Sequence, residues 1–357
     1  MNWKKVAKWT LWIIIVISIL VFGTHYLYFA KIKPANTSSS YTPSEDGKKQ
    51  TRASKDDNCK SNPKPIFTAE FADFDKLKQT APIGAVMAGS PGRAYVMVKG
   101  DAMPNGGMMQ NRAKTPLYAP TDATIQSLVY ARRDPTNPNA PGEYRLEFRI
   151  SCEVTFNFDH MDEVVDKIKA VSPATPSDRS NDLKYVNIPV KAGELVGYTD
   201  GTPMAGSFDL FLLNSTKTVP HINPARWKWD QVVTADCPYD YYTPELKQKY
   251  YSILRSLDGQ ALKTPNCGSP SHDKASSAAG GWFLGDSTDN KGKWLEIATQ
   301  ATTAMNRVEI NLRENGSGIF SVRDYKPKML PEEMKIGDSV CYTDSNNWMF
   351  IKLNPDT

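Results

Sequence analysis

The sequence predicts a mainly β protein: a β-rich domain hung from an N-terminal transmembrane helix, then a helical connector and a small C-terminal all-β domain. Three observations predict this. Between Glu143 and Phe158 every even position is apolar (Tyr144, Leu146, Phe148, Ile150, Cys152, Val154, Phe156, Phe158) and every odd one is charged or small and polar. That is the period of a long strand, or two in line, with one face in a core, and it puts Cys152 on the buried face. Beyond Trp282 short strand-like runs recur, with Asn315-Gly316 between two of them, a strong hairpin signal. At the other end, Leu11 to Ala30 is broken only by Ser18, Gly23, Thr24 and His25, and as a helix it spans roughly 30 Å, one hydrocarbon core.

With 357 residues, 40% of them hydrophobic and 23% charged, the chain can bury a core and has length for about two domains. The 43 Lys and Arg against 39 Asp and Glu leave a net charge of only +4, without a basic stripe, which argues against nucleic acid as a partner. Five Cys stand at 59, 152, 237, 267 and 341 with no C-x-x-C pair, so neither a zinc ribbon nor a thioredoxin-like site is indicated.

Residues 1–33 read as a cytoplasmic tip and a signal anchor. Lys4, Lys5 and Lys8 precede the apolar run and keep the N-terminus cytoplasmic, so that everything after Lys31 is extracytoplasmic. Trp3, Trp9 and Trp12 at one end and Tyr26 and Tyr28 at the other have the placement of interfacial belts. A cleaved signal peptide would need small residues where Tyr28 and Lys33 stand, so the segment is expected to stay attached. Residues 34–65, rich in Ser, Thr, Pro, Asn, Lys and Asp, read as a disordered stalk, with Cys59 placed to fasten its far end to the ectodomain.

Within residues 66–235, Leu117-Tyr-Ala-Pro-Thr-Asp-Ala-Thr-Ile125 and Ile188-Pro-Val-Lys-Ala-Gly-Glu-Leu-Val-Gly197 each read as strand, turn, strand, with Gly193 free to take positive φ. Asp159 looks like a helix N-cap, followed by Met161, Val164, Val165, Ile168 and Val171 at helical spacing up to Pro173. In this order the pieces resemble the duplicated hybrid motif, the barrel-sandwich-like β fold of the lysostaphin-like M23 metallopeptidases. The counterparts of the family's motifs are Leu117 to Ile125, Phe158-Asp-His-Met161, Val190 to Gly197, and Ser207-Phe-Asp-Leu-Phe211.

The resemblance implies a zinc site in active members, built from two His and one Asp with two further His assisting, and this chain departs from it. Ser207 and Asp209 stand where His-x-His is expected, the stretch Lys99 to Met108 lacks the His-x-x-x-Asp pair, and His160 alone falls on a matching position. A carboxylate substitute from Asp101, Asp122 and Asp209 would be a hard, oxygen-rich set poorly suited to zinc. The expectation is therefore no cofactor, no catalytic residues, and non-catalytic binding or scaffolding at the cell envelope around His160, Ser207 and Asp209, with peptidoglycan, a glycan or an envelope protein as the partner. A zinc-dependent cell-wall endopeptidase is the first alternative. A membrane-fusion-type adaptor is the second, although Pro135 to Pro141, Pro173 and Pro176 leave no room for its long heptad hairpin.

Single residues have plainer readings. His160, at an expected helix start after a buried strand, reads first as a hydrogen-bonded structural imidazole and second as a functional one. His221, in a Pro-bounded loop, reads as a surface residue. Trp227 and Trp229 read as one strand's contribution to core and edge, or as a stacking platform, and Met103, Met108 and Met109 as an adaptable apolar loop. Residues 236–267 form the connector: Thr243 as N-cap, Pro244 at N1, Leu246, Tyr250, Ile253 and Leu257 on one face and Gly259 closing it, with a disulfide between the flanking Cys237 and Cys267. Residues 268–281, rich in Ser, Ala and Gly, read as a linker, and 282–357 as the small β domain.

Overall fold

The computed structural model describes residues 59–85, 91–101, 109–134, 136–203, 206–262, 266–299, 308–315, 317–324, 329–343 and 348–355. The apolar run at 11–30, residues 34–58 of the stalk, Met103, Met108 and Gly316 lie outside the described residues. Among the described residues no helix is long and apolar enough to cross a membrane.

The chain is mainly β. Its strands are β1 (Leu77–Thr80), β2 (Arg93–Val98), β3 (Thr115–Tyr118), β4 (Ala123–Arg132), β5 (Gly142–Arg149), β6 (Val154–Met161), β7 (Glu163–Val164), β8 (Lys184–Val190), β9 (Leu195–Thr199) and β10 (Ser207–Asn214), then β11 (Gly280–Phe283), β12 (Lys293–Thr299), β13 (Val308–Glu314), β14 (Ser317–Asp324), β15 (Ser339–Thr343) and β16 (Trp348–Lys352). Three short helices, α1 (Asp166–Lys169), α2 (Asp230–Val233) and α3 (Pro244–Ser252), punctuate them. Seven strands form one sheet in the order β1-β2-β10-β6-β5-β4-β8, and β3-β9-β7 form a second.

The long alternating stretch is a hairpin, not one strand or two in line. β5 and β6 pair antiparallel with Phe148 opposite Phe156 and Arg149 opposite Thr155. Residues 150–153 make the turn, closed by Ile150 N–H donating to Val154 O (3.0 Å) and by the Ser151 hydroxyl accepting from Glu153 N and Val154 N. Because the turn preserves parity, even-numbered residues face inward on both arms as far as Phe158. Cys152 sits in that turn and is exposed rather than on the buried face, where it bonds Cys59.

The helix expected from Asp159 is also corrected. β6 runs on to Met161, β7 follows, and only Asp166–Lys169 is helical. Met161, Val164 and Ile168 are buried at helix-like spacing although a strand, a second short strand and one helical turn supply them. The connector helix likewise stops at Ser252, with Gly259 closing a later turn at φ 82°, and Thr243 makes no side-chain cap bond. At the second β turn, Gly193 takes φ 77°, a conformation costly for residues with a Cβ.

The main core fills the space beneath the seven-stranded sheet. Phe148, Phe156, Phe158 and Phe208 project from the sheet, and Phe67, Phe71, Tyr239, Tyr242 and Tyr250 close it from the other side. Phe71 stacks on Tyr250 at 4.5 Å, and its N–H donates to the Tyr250 hydroxyl (3.1 Å), so the aromatic layer is bonded as well as packed. Disulfides Cys59–Cys152 and Cys237–Cys267 close loops of 93 and 30 residues. By the chain-entropy account they contribute about 4–5 and about 3–4 kcal/mol.

After Cys267 the chain passes along Ile83 and Gly84, where Ile83 N–H donates to Cys267 O (2.8 Å). A four-stranded sheet β11-β12-β13-β14 follows, its β13–β14 hairpin setting Glu314 opposite Ser317 with Asn315 at φ 49°. The pair β15–β16 turns Val340 and Tyr342 inward and leaves Cys341, Trp348 and Phe350 exposed. Trp227 is not a strand residue; from a loop it joins Val232 and Trp294 in a cluster between α2 and β12, with Trp229 and Phe283 at its edge.

Candidate functional site

Strand alternation assigns the site to the outer face of the seven-stranded sheet. On β10, Phe208, Leu210 and Leu212 enter the core, so Ser207, Asp209 and Phe211 face away from it. On β2, Ala94, Val96 and Val98 enter the core, which turns Arg93, Tyr95 and Met97 to the same outer face. β10 lies between β2 and β6, placing Asp209 opposite Tyr95 on one side and opposite Asp159 on the other.

Two carboxylates directly across a strand pair repel, and the fold compensates with cations, two of which reach Asp209. Arg93 donates from Nη1 to Asp209 Oδ2 at 2.7 Å, its guanidinium lying over the Phe211 ring. His160 is the other. β6 carries a bulge here, its pairing with β5 stepping from Leu146 opposite Phe158 to Tyr144 opposite Met161, so that Asp159 and His160 together face Arg145. His160 sits in the left-handed region at φ 63°, a conformation costing on the order of 1 kcal/mol for a residue with a Cβ. The bulge sets the ring on the outer face, with Nε2 at 3.6 Å from Asp209 Oδ2 and Nδ1 donating to Glu143 Oε1 at 3.0 Å.

From Glu143 the ion pairs continue. Arg133 bridges Glu143 (3.0 Å) and Asp162 (2.7 Å), Asp162 accepts from Asp200 N (2.6 Å), and Arg112 donates to Asp200 (2.9 Å). At the centre of the chain His160 and Asp159 each favour the charged form of the other. Burial works against a charged His160, but Asp159, Asp209 and Glu143 outweigh it and hold the ring well above the usual imidazole value. Burial likewise opposes the Asp159 carboxylate, and His160, Arg145 and Arg93 outweigh it and hold it low. The His160 contribution is therefore complete below about pH 6.5 and lost as pH rises through its raised value; that of Asp159 is present above about pH 4 and lost as pH falls through its lowered one.

Asp159, His160 and Asp209 offer one ligand atom each within 4.8 Å, the only such grouping among the described residues. The set does not fit a hydrolytic zinc. A zinc ligand must be a neutral imidazole, whereas the burial of His160 is outweighed by Asp159, Asp209 and Glu143, which hold it charged, and Asp209 is already bonded by a guanidinium whose charge opposes a dication.

Of the sequence-derived residues, His160 and Asp209 come together, while Ser207, buried two positions along β10, stands outside the ion-pair chain. Asp122 and Asp101 join neither: Asp122 pairs with Lys191 (2.8 Å), and Asp101 accepts from Asn111 Nδ2 (2.7 Å). His221 is not a surface residue; its ring is buried against Trp227 at 4.4 Å and donates from Nε2 to Val232 O (3.1 Å). Arg93, Glu143 and Asp159 are the residues sequence reasoning did not single out for the site. Asp159 had a local signal, one carboxylate beside the matching His160, but its N-cap reading concealed it.

No family model and no curated protein matches the chain. Among solved structures, the solution structure of lysostaphin is similar at 13% identity and a TM-score of 0.26, covering 80% of this chain and 91% of that one. The likeness is distant, and the reading of the site rests on its own geometry.

Proposed function

We propose that this is a membrane-anchored, extracytoplasmic protein of the cell envelope whose M23-like β unit is degenerate and serves in binding or scaffolding without catalysis. The observation that carries the reading is the Arg93 guanidinium at 2.7 Å from Asp209, beside an imidazole whose Nδ1 donates to Glu143 and whose Nε2 stands 3.6 Å from Asp209. That arrangement puts a fixed organic cation where a metal would have to compete for Asp209. The two disulfides support an oxidising compartment, and the lysine-flanked apolar run supports attachment to the membrane. The ligand proposed for the outer face is peptidoglycan or another envelope component.

The test is metal analysis of the purified full chain together with incubation on cross-linked wall peptides. The expected result is zinc well below one per chain, no cleavage with or without added zinc, and retention of the protein on purified peptidoglycan that His160→Ala weakens. Stoichiometric zinc with chelator-sensitive cleavage would overturn the reading.

A further inference from the structure

The four-stranded sheet meets the seven-stranded unit across a junction of charged side chains, and His272 lies between them. Its segment is laid tightly on the larger unit: a Cβ on Gly268 would meet Ile83 O at 2.1 Å and one on Gly84 would meet Ser269 O at 2.4 Å, and both glycines have positive φ. From there the His272 ring reaches in two directions. Nε2 donates to the Gly84 carbonyl at 2.8 Å, on the seven-stranded unit, and Nδ1 faces Glu296 Oε1 at 3.3 Å, on β12. The side chains of His272 and Glu296 are only 7% and 4% exposed.

A carbonyl oxygen and a carboxylate both accept, and a neutral imidazole has one N–H to give. Both bonds are made only while the His272–Glu296 pair retains an extra proton. We propose that His272 is a proton-operated clasp that fastens the C-terminal sheet to the seven-stranded unit and releases its hold as the pH rises.

The surroundings set the direction. Burial opposes the charged ring, but Glu296, the Gly84 carbonyl and Asp273 outweigh it and hold His272 above the usual imidazole value. The clasp is complete below about pH 6.5 and is lost as pH rises through that raised value. Arg313 on β13 is the cation that faces Glu296. Asp273 is occupied elsewhere, accepting from Ile222 N (2.8 Å) and Gly281 N (3.0 Å) and lying 3.5 Å from His221 Nδ1. Asp289, on the loop between β11 and β12, accepts from Lys228 N and Trp229 N and does not compete for the ring. The junction also adjoins the outer face, since the charge of Glu309 on β13 acts on Tyr95 of β2. The clasp itself does not depend on what that face binds.

Hydrogen exchange of the full chain, corrected for the intrinsic pH dependence of amide exchange, tests this at pH 6 and 8.5. In the native sequence, peptides covering 266–284 and 291–299 should exchange several-fold faster at the higher pH, while those of β4, β5 and β6 stay unchanged. His272→Gln should exchange fast in those peptides at both values, with the pH step gone. Equal corrected rates at both pH values in the native chain, or a pH step that survives His272→Gln, would overturn the clasp. Should His272→Gln also lose protection in β4–β6, Glu296→Gln decides: loss of the pH step supports the clasp, and its retention sinks it.

Discussion

In the seven-stranded unit a continuous aromatic core lies under one broad sheet, and disulfides tie the stretch before β1 to the β5–β6 turn and the segment after β10 to the one that leads to β11. The C-terminal sheets hold a smaller cluster around Ile297, Ile310, Met334 and Tyr342, carry Cys341 as a free thiol, and leave Trp348 and Phe350 in water. Their attachment runs through a few aromatics and the charged junction. Buried apolar area scales with the stabilisation available, so the first unit has a stability of its own and the second draws part of its stability from docking.

Three substitutions break or sharpen that contrast. The largest effect is expected from Phe156→Ala, which empties a fully buried site between Phe148 and Phe158 and should cost about 4 kcal/mol in urea unfolding, with both units lost in one transition. Survival of the C-terminal sheets after the main unit has unfolded would show that they stand alone. Next is Trp294→Ala, which removes the ring that meets Trp227 across the junction and stacks on Phe283 of the neighbouring β11. It should cost about 3 kcal/mol and appear as lost exchange protection in β11–β13 with β4–β6 still protected; equal loss in both would refute the separation.

Smallest is Arg93→Gln, expected to cost about 2 kcal/mol at pH 7, because it leaves Asp209 and Asp159 facing each other. Burial opposes the Asp159 carboxylate but His160, Arg145 and Arg93 hold it low, so it gives up its charge only below about pH 4, and the penalty should shrink between pH 7 and about pH 3. A urea midpoint equally lowered at both pH values would mean that packing, not charge, is what Arg93 supplies.

The strand character of 143–158 was legible because side chains alternate regardless of what joins the strands. The turn within it was not, since residues 150–153 keep even positions inward on both sides. The bulge at Asp159 and His160 was misread as a helix start because the elements after it, the end of β6, the short β7 and one helical turn, together space Met161, Val164 and Ile168 like a helix face. In the site, His160 and Asp209 were visible through their place in motifs. Arg93 was not, because its partner is 116 residues away and its strand, Arg93-Ala-Tyr-Val-Met-Val98, has apolar residues among its outward positions. Only the order β2-β10-β6 brings that guanidinium onto Asp209 from one side and Asp159 opposite it on the other.

The Cys59–Cys152 bond also decides how the molecule would carry a mechanical load. Tension entering ahead of Cys59 crosses directly to Cys152 through the sulfurs, so the intervening chain, β1 to β5 included, is outside the load path and cannot be drawn out while the bond lasts. At roughly 3.4 Å per residue, the 93-residue separation withholds on the order of 300 Å of extension from any pull on the two ends. Reduction of that one bond would return those residues to the load path, with the sheet alone holding them against extension.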